Sequence, residues 1–201
     1  MAPKGCKLPS LMPHMINRRG LFVVISLSLL LLSGCSGVFG EDPGEQANQA
    51  IQDANASISE HNRLFDKARS TYTDVKQQIE SGDDPSQEKD RVTEAKNTLE
   101  EARRKLKDAR DSLSTVDDLD VDPVVKEYAG LLSDAMEAQL AAEAKEVQFY
   151  GILEEDPALK NNREKALDLL SEVGAGYREA EESYAKAQDL ADSNPDLIER
   201  D

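Results

Sequence analysis

Four Asp-Pro dipeptides divide this chain. Asp42-Pro43, Asp84-Pro85, Asp122-Pro123 and Asp156-Pro157 stand 42, 38 and 34 residues apart. An Asp carboxylate accepts hydrogen bonds from the free amides at a helix start. Pro suits the first helical position, where no N–H is needed. Each dipeptide is therefore expected to open a helix, which predicts four, over about 43–80, 85–116, 123–153 and 157–192.

The bodies between these marks carry heptads. In the first, Ile51, Ile58, Phe65, Tyr72 and Ile79 recur every seven residues, and Ala47, Ala54, His61, Ala68 and Val75 fill the second seam position. In the second, Val92, Ala95, Leu99, Ala102, Leu106, Ala109, Leu113 and Val116 run without a polar interruption. The fourth reads Ala166, Leu170, Val173, Tyr177, Ala180, Tyr184, Ala187 and Ala191. Steps of three and four keep one stripe turned to a partner helix, and Ala on it permits close approach. Short turns between long helices favour antiparallel neighbours. The chain has no Trp and only 4% aromatic residues, which fits an Ala/Leu/Val helical core better than a β-sandwich. The expected fold is all-α: an elongated, antiparallel, coiled-coil-like four-helix bundle over residues 42–201.

The third segment differs. Beside Val124, Tyr128, Leu131, Ala135, Ala138, Ala142, Phe149 and Ile152 it places Met136, Leu140, Val147 and Tyr150 on a neighbouring face. A helix apolar around much of its girth is either the most buried of its bundle or shared with a partner. Those four residues are the candidate partner face. In the fourth segment, Tyr177, Ala180, Tyr184, Lys186, Ala187 and Leu190 resemble the second helix of a tetratricopeptide repeat, with Gly174-Ala175-Gly176 where that motif turns. The resemblance implies five shorter helices. Heptad packing generates the same spacing unaided, as Phe65, Ala68 and Tyr72 show, and the repeat does not recur elsewhere.

Groups for chemistry are scarce. His61, the only His after residue 34, falls on an apolar seam, and Ile58 stands where a Glu-x-x-His di-iron motif needs Glu. It reads as a polar seam residue that helps to set register. Asp117, Asp118, Asp120 and Asp122 crowd one turn and are weak candidates for a hard cation, but the Gly and closing Glu of an EF-hand are missing. Neither a Gly-x-Ser-x-Gly elbow nor a Gly-rich phosphate loop is present. No catalytic residue and no cofactor are expected, and the chain does not read as an enzyme.

The opening stretch supplies an address. Arg18 and Arg19 precede an apolar run, Leu21 to Leu32, too short for the roughly 20 residues that span a bilayer. Charge, apolar run and small residues follow one another as in a secretory signal. Leu32-Ser33-Gly34-Cys35 resembles the lipobox of bacterial lipoproteins. That resemblance implies cleavage of residues 1–34 and acylation of Cys35, leaving residues 35–41 as a lipidated tether. Met15 begins a compact signal by itself, so residues 1–14 read as an over-long start. Arg18-Arg19-Gly20-Leu21-Phe22 also looks like a twin-arginine signal, and both export routes stay open. Ser36, not Asp, follows the Cys, a lipoprotein pattern that goes against inner-membrane retention where there are two membranes.

Charge and cysteines narrow the partners. Four of the 24 basic side chains and none of the 40 acidic ones lie in the first 34 residues, so the remainder carries 20 basic against 40 acidic. Such a field repels nucleic acid. With Cys6 ahead of the cleavage point and Cys35 committed to lipid, no intrachain disulfide is available to the mature protein. The expected protein is held to a membrane by a lipid anchor, outside the cytoplasm. It is expected to present a surface to an envelope protein or to a second copy. The alternatives are a small-ligand or divalent-cation-binding lipoprotein and an envelope spacer whose length is what matters.

Overall fold

The computed structural model describes residues 42–195. Four helices account for most of them: α1 (Pro43–Ser81), α2 (Lys89–Ser114), α3 (Pro123–Glu155) and α4 (Arg163–Ser193). Short 3-10 turns, Pro85–Glu88 and Thr115–Asp118, flank α2. Consecutive helices run antiparallel, as the ion pairs between them record: Lys67–Glu94 joins α1 to α2, Lys96–Glu154 joins α2 to α3, and Lys145–Glu172 joins α3 to α4. This is the all-α bundle that the heptads predict. Among the described residues no helix is long and apolar enough to cross a membrane.

Three Asp-Pro pairs do what their chemistry dictates. The carboxylates of Asp42, Asp84 and Asp122 accept from the amides of Gly44 (3.0 Å), Ser86 (3.0 Å) and Val124 (2.8 Å). The first opens α1, the second the 3-10 turn leading into α2, and the third α3. Gly82 closes α1 with φ of 109°, and the amide of Asp83 reaches back to the Gln78 carbonyl. A glycine suits that left-handed position because it has no Cβ to clash.

The fourth pair departs from expectation. No helix starts at Pro157: α3 runs on to Glu155, and α4 begins at Arg163. The Asp156 carboxylate instead accepts from the amides of Lys160 (3.0 Å), Asn161 (2.7 Å) and Asn162 (3.1 Å), so it closes a loop. Within that loop Leu159 takes φ of 49°, an unfavourable angle for a residue with a Cβ, and it is buried. Burying an isobutyl group against the bundle end, together with three amide bonds to one carboxylate, offsets the strain.

The α1 and α2 seams are buried as their heptads require, with Ile58 partly covered. The apolar core separates into two clusters. One holds Phe65, Tyr72, Val92, Leu99, Phe149, Tyr150, Leu153 and Ala166, at the end carrying the α1–α2 and α3–α4 turns. The other holds Ile51, Leu106, Leu113, Tyr128, Leu132, Met136 and Ala187, at the end where α1 begins and α4 finishes. Helix α4 passes unbroken through Gly174 and Gly176, so the chain makes four helices and not five.

Gly176 has a packing reason. A Cβ there would lie 2.9 Å from the Ala142 Cβ and 3.3 Å from its Cα, so α3 and α4 touch at this point because neither side chain is larger. At Gly174 the nearest atom to a Cβ is the Arg178 guanidinium at 3.6 Å, an ordinary contact. Gly176→Ala should therefore lose stability, since overpacking costs about 1–3 kcal/mol against a helix-propensity gain of up to about 1 kcal/mol. Gly174→Ala keeps the gain alone and should be stabilised; urea unfolding of the two variants side by side checks both signs. Asp156 gives a pH test. The Asn161 amide, joined by those of Lys160 and Asn162, lowers its carboxyl below the ordinary value against the opposing effect of burial. A depressed folded value contributes stability above the unfolded value of about 3.9 that is lost as pH falls through the folded one. Asp156→Asn should thus be less stable than wild type near neutrality, the gap closing in acid, as read from urea midpoints across pH.

Candidate functional site: a buried charged layer

Between the two apolar clusters the bundle buries charge. His61 of α1 and Gln139, Glu143 and Glu146 of α3 are all buried, both glutamates with no exposed surface. On α3 these positions continue an apolar stripe: Leu132, Met136, Gln139, Glu143, Glu146, Tyr150 and Leu153 advance by alternating fours and threes. The seam that packs most deeply thus has three polar residues at its centre.

Their partners come from α1 and α4. His61 Nε2 lies 2.8 Å from Glu143 Oε1, and Nδ1 lies 3.0 Å from Asn62 Oδ1. A neutral ring donates to one of these oxygens and an imidazolium to both. Gln139 donates to the same Glu143 oxygen at 2.9 Å and accepts from the Tyr184 hydroxyl at 3.0 Å. Glu146 accepts from Tyr150 at 2.9 Å and from Tyr177 at 2.7 Å, one to each oxygen. Arg69 Nε lies 4.0 Å from Glu146 Oε1, and its guanidinium sits over the rings of Phe65 (4.8 Å) and Tyr177 (5.4 Å). His61 stacks on Phe65 at 5.5 Å. Each buried carboxylate is thereby tied to a group on α1 and, directly or through Gln139, to a tyrosine on α4.

The environment acts on these groups in definite directions. Burial pushes the Tyr177 and Tyr150 hydroxyls well above the usual phenol range, and the Glu146 charge adds to both. Burial likewise raises Tyr184, with Glu143 behind it, and Tyr72, with Glu146 behind it. For Arg69 burial opposes the charge, but Glu146 and its neighbours outweigh it and hold the guanidinium protonated. Glu143 Oε2, the Tyr72 hydroxyl and Arg103 Nε are buried without a hydrogen-bond partner. The arrangement links donors and acceptors from α1, α3 and α4, with Glu143 Oε2 left over, and its physical effect is to hold three helices together.

The residues singled out in the sequence are placed as follows. Met136 and Tyr150 are fully buried, and Leu140 and Val147 are partly buried against the two clusters. These four do not form a free face; α3 is apolar on a wide arc because its neighbours cover that arc. Asp117 and Asp118 lie in the 3-10 turn after α2, the Asp117 carbonyl accepts from Lys126 Nζ at 2.8 Å, and Asp122 caps α3. Among the described residues no three His, Cys, Asp or Glu side chains are grouped to hold a metal, so the four aspartates including Asp120 are not assembled into a cation site. Arg18, Arg19, Leu32, Ser33, Gly34 and Cys35 lie outside the described residues. Sequence reasoning found His61 but missed Gln139, Glu143 and Glu146, although the apolar stripe on either side of them was visible.

The fold and site define an all-α four-helix bundle with an interior charged layer. Comparison with known proteins gives no matching family model, no matching curated protein and no matching solved structure.

The raised tyrosines carry a pH consequence. Groups whose folded value lies above the unfolded value of about 10 contribute stability below it that is lost as pH rises through the folded value. Tyr72, Tyr150, Tyr177 and Tyr184, four of the chain's five tyrosines, should therefore ionise only as the bundle opens. Phenolate absorbance and helical circular dichroism should change together in alkali. Phenolate formation by these four ahead of helix loss would contradict the interior placement of their hydroxyls.

Proposed function

We propose that this chain is a lipid-anchored, extracytoplasmic cell-envelope protein whose helical rod presents a protein-interaction surface and carries out no chemistry of its own. The anchoring rests on the lipobox-like Leu32-Ser33-Gly34-Cys35. Only six residues separate Cys35 from Asp42, a tether of at most about 25 Å when fully extended.

The observation that carries the reading is the polarity of the rod. Asp42, the turn after α2 and the end of α4 share one end with the Ile51–Met136–Ala187 cluster. The α1–α2 and α3–α4 turns share the other. The two distal turns lie close enough for charge to act between them: Lys160 of one helps to lower the Asp84 carboxyl of the other, behind the larger effect of the Ser86 hydrogen bonds. The 39 residues of α1 rise about 58 Å at 1.5 Å each. A lipid at Cys35 would hold the first end near the membrane and carry the paired turns outward.

The recognition surface in this reading is polar. Leu167 is the one large apolar side chain that stands exposed among the described residues. A partner would therefore be bound through charge and hydrogen bonds, and salt should weaken it. A spacer reading draws on the same uninterrupted rod, and helix length separates the two. Deleting one heptad from each helix should impair a spacer, whereas charge reversal at Lys160 and Arg163 should impair a recognition tip.

Intact mass of protein purified from membranes tests the anchor first. A chain starting at Cys35 with acyl chains attached, the acyl mass absent from Cys35→Ala, is the expected result. An unacylated chain retaining residues 15–34 would overturn the proposal. Crosslinking from the distal turns in intact envelopes then tests the surface, with loss of the crosslinked partner in Lys160→Glu/Arg163→Glu as the expected outcome.

A further inference from the structure

The apolar seams of α1 and α2 are nearly periodic. On α1 a shift of seven residues moves Phe65 into the place of Tyr72 and Ile51 into that of Ile58; on α2 Ala95, Ala102 and Ala109, and Leu99, Leu106 and Leu113, replace one another. The Gly82–Asp84 turn and the antiparallel pairing lock α1 to α2, and the loop at Asp156 with the Gly176–Ala142 contact locks α3 to α4. Between these two hairpins the connection is the eight-residue segment 115–122. The hairpins pack closely along α2 and α3, through the seam of Ala and Leu on α2, whereas the α1 and α4 backbones stand apart and meet through side chains such as Phe65 and Tyr177, whose rings lie 6.0 Å apart. Apolar packing by itself therefore distinguishes poorly between the observed register and one slid by a heptad, about 10 Å at 1.5 Å per residue.

The charged layer distinguishes them. A slide of one hairpin along the other, in either direction, takes His61 from Glu143 and brings Ala54 or Ala68 in its place. In one of those directions Asn62 also replaces Arg69 opposite Glu146. Glu143 would be left buried with Gln139 as its only donor. Stranding one member of a buried pair typically disfavours a state by a hundredfold or more.

We propose that His61, Gln139, Glu143 and Glu146, with Arg69, Tyr177 and Tyr184, form a register pin that fixes the α1–α2 hairpin against the α3–α4 hairpin. The pin sets the relative height of the two distal turns and hence the shape of the tip. Its role in register is independent of whether the chain is lipidated.

Pulsed spin-label distances test it. Gln52 and Asp168 are exposed, on α1 and α4 and toward opposite ends of the rod, so a slide along the axis changes their separation by nearly its full length. The labels go on Gln52→Cys and Asp168→Cys in a full chain with Cys6 and Cys35 replaced by Ser. The parent should give one distance. The variant His61→Leu/Gln139→Leu/Glu143→Leu/Glu146→Leu should melt higher yet give a second population displaced by about 10 Å, or a doubled set of amide resonances. The milder His61→Leu/Glu143→Leu pair is read the same way if the fourfold variant does not fold. A single unshifted distance in whichever variant folds would overturn the pin. Failure of both to fold would also overturn it, because the layer would then be a requirement for stability and not a selector of register.

Discussion

Burying two carboxylates in the middle of a helical bundle is the constraint around which the rest of this structure is arranged. Glu143 and Glu146 have no exposed surface. An ionised carboxylate taken from water carries a penalty of several kcal/mol even after relaxation, and attraction offsets it only when the geometry is good and the remaining lone pairs are filled. The bundle answers with an imidazole, a guanidinium, two phenols and an amide at the distances observed, and leaves only Glu143 Oε2 without a partner on the two carboxylates. Those that come from α1 and α4, His61, Arg69 and Tyr177, are long or aromatic, and they reach α3 across the side where α1 and α4 stand apart.

The opposite sides are closed by small residues. Ala95, Ala102 and Ala109 on α2 are fully buried, and Gly176 meets Ala142 where α4 crosses the level of the glutamates. Close packing on one side and bulky polar filling on the other are linked: bringing α3 and α4 together at Gly176 helps set Tyr177 within reach of Glu146. A larger residue at 176 would push on the α3 backbone beside Glu143. Small-residue contacts thus serve the layer as much as they serve the apolar core.

These features were unequally legible in the sequence. The α1 and α2 seams could be read directly, because Ile51 to Ile79 and Val92 to Val116 keep their period and tertiary packing does not override it. The start of α4 could not. Asp156-Pro157 carries the same local signal as the other three pairs, and what separates it is the burial of Leu159, a tertiary effect. On α3 the apolar residues divide between two neighbouring stripes, each repeating every seven residues: Tyr128, Ala135, Ala142 and Phe149 on one, and Met136 and Tyr150 with Leu132 and Leu153 on the other. Gln139, Glu143 and Glu146 interrupt the second stripe, and glutamate is ordinarily a surface residue, so this stripe does not read as one continuous seam. Only the partners on α1 and α4 show that the interruption is buried. His61 was the one sign available beforehand, a polar side chain on an otherwise apolar seam.

In the proposed reading, a strongly acidic rod whose one large exposed apolar side chain among the described residues is Leu167 would have little but charge and shape to offer a partner. At the end carrying the α1–α2 and α3–α4 turns those come from two separate hairpins, with Asp84 and Lys89 beyond α1, Lys160 ahead of α4 and Arg163 at its start. No covalent link joins the two turns there, and the nearest connection between the hairpins lies at the other end of the rod, in the segment 115–122. Their relative position is therefore decided by whatever holds one hairpin level with the other. Periodic Ala/Leu packing supplies adhesion without choosing a level, whereas a buried charge with one suitable partner chooses sharply. That is a reason to retain glutamates where leucines would stabilise the bundle more. The cost of the layer to stability is then tied to the definition of a surface about half the length of the rod away.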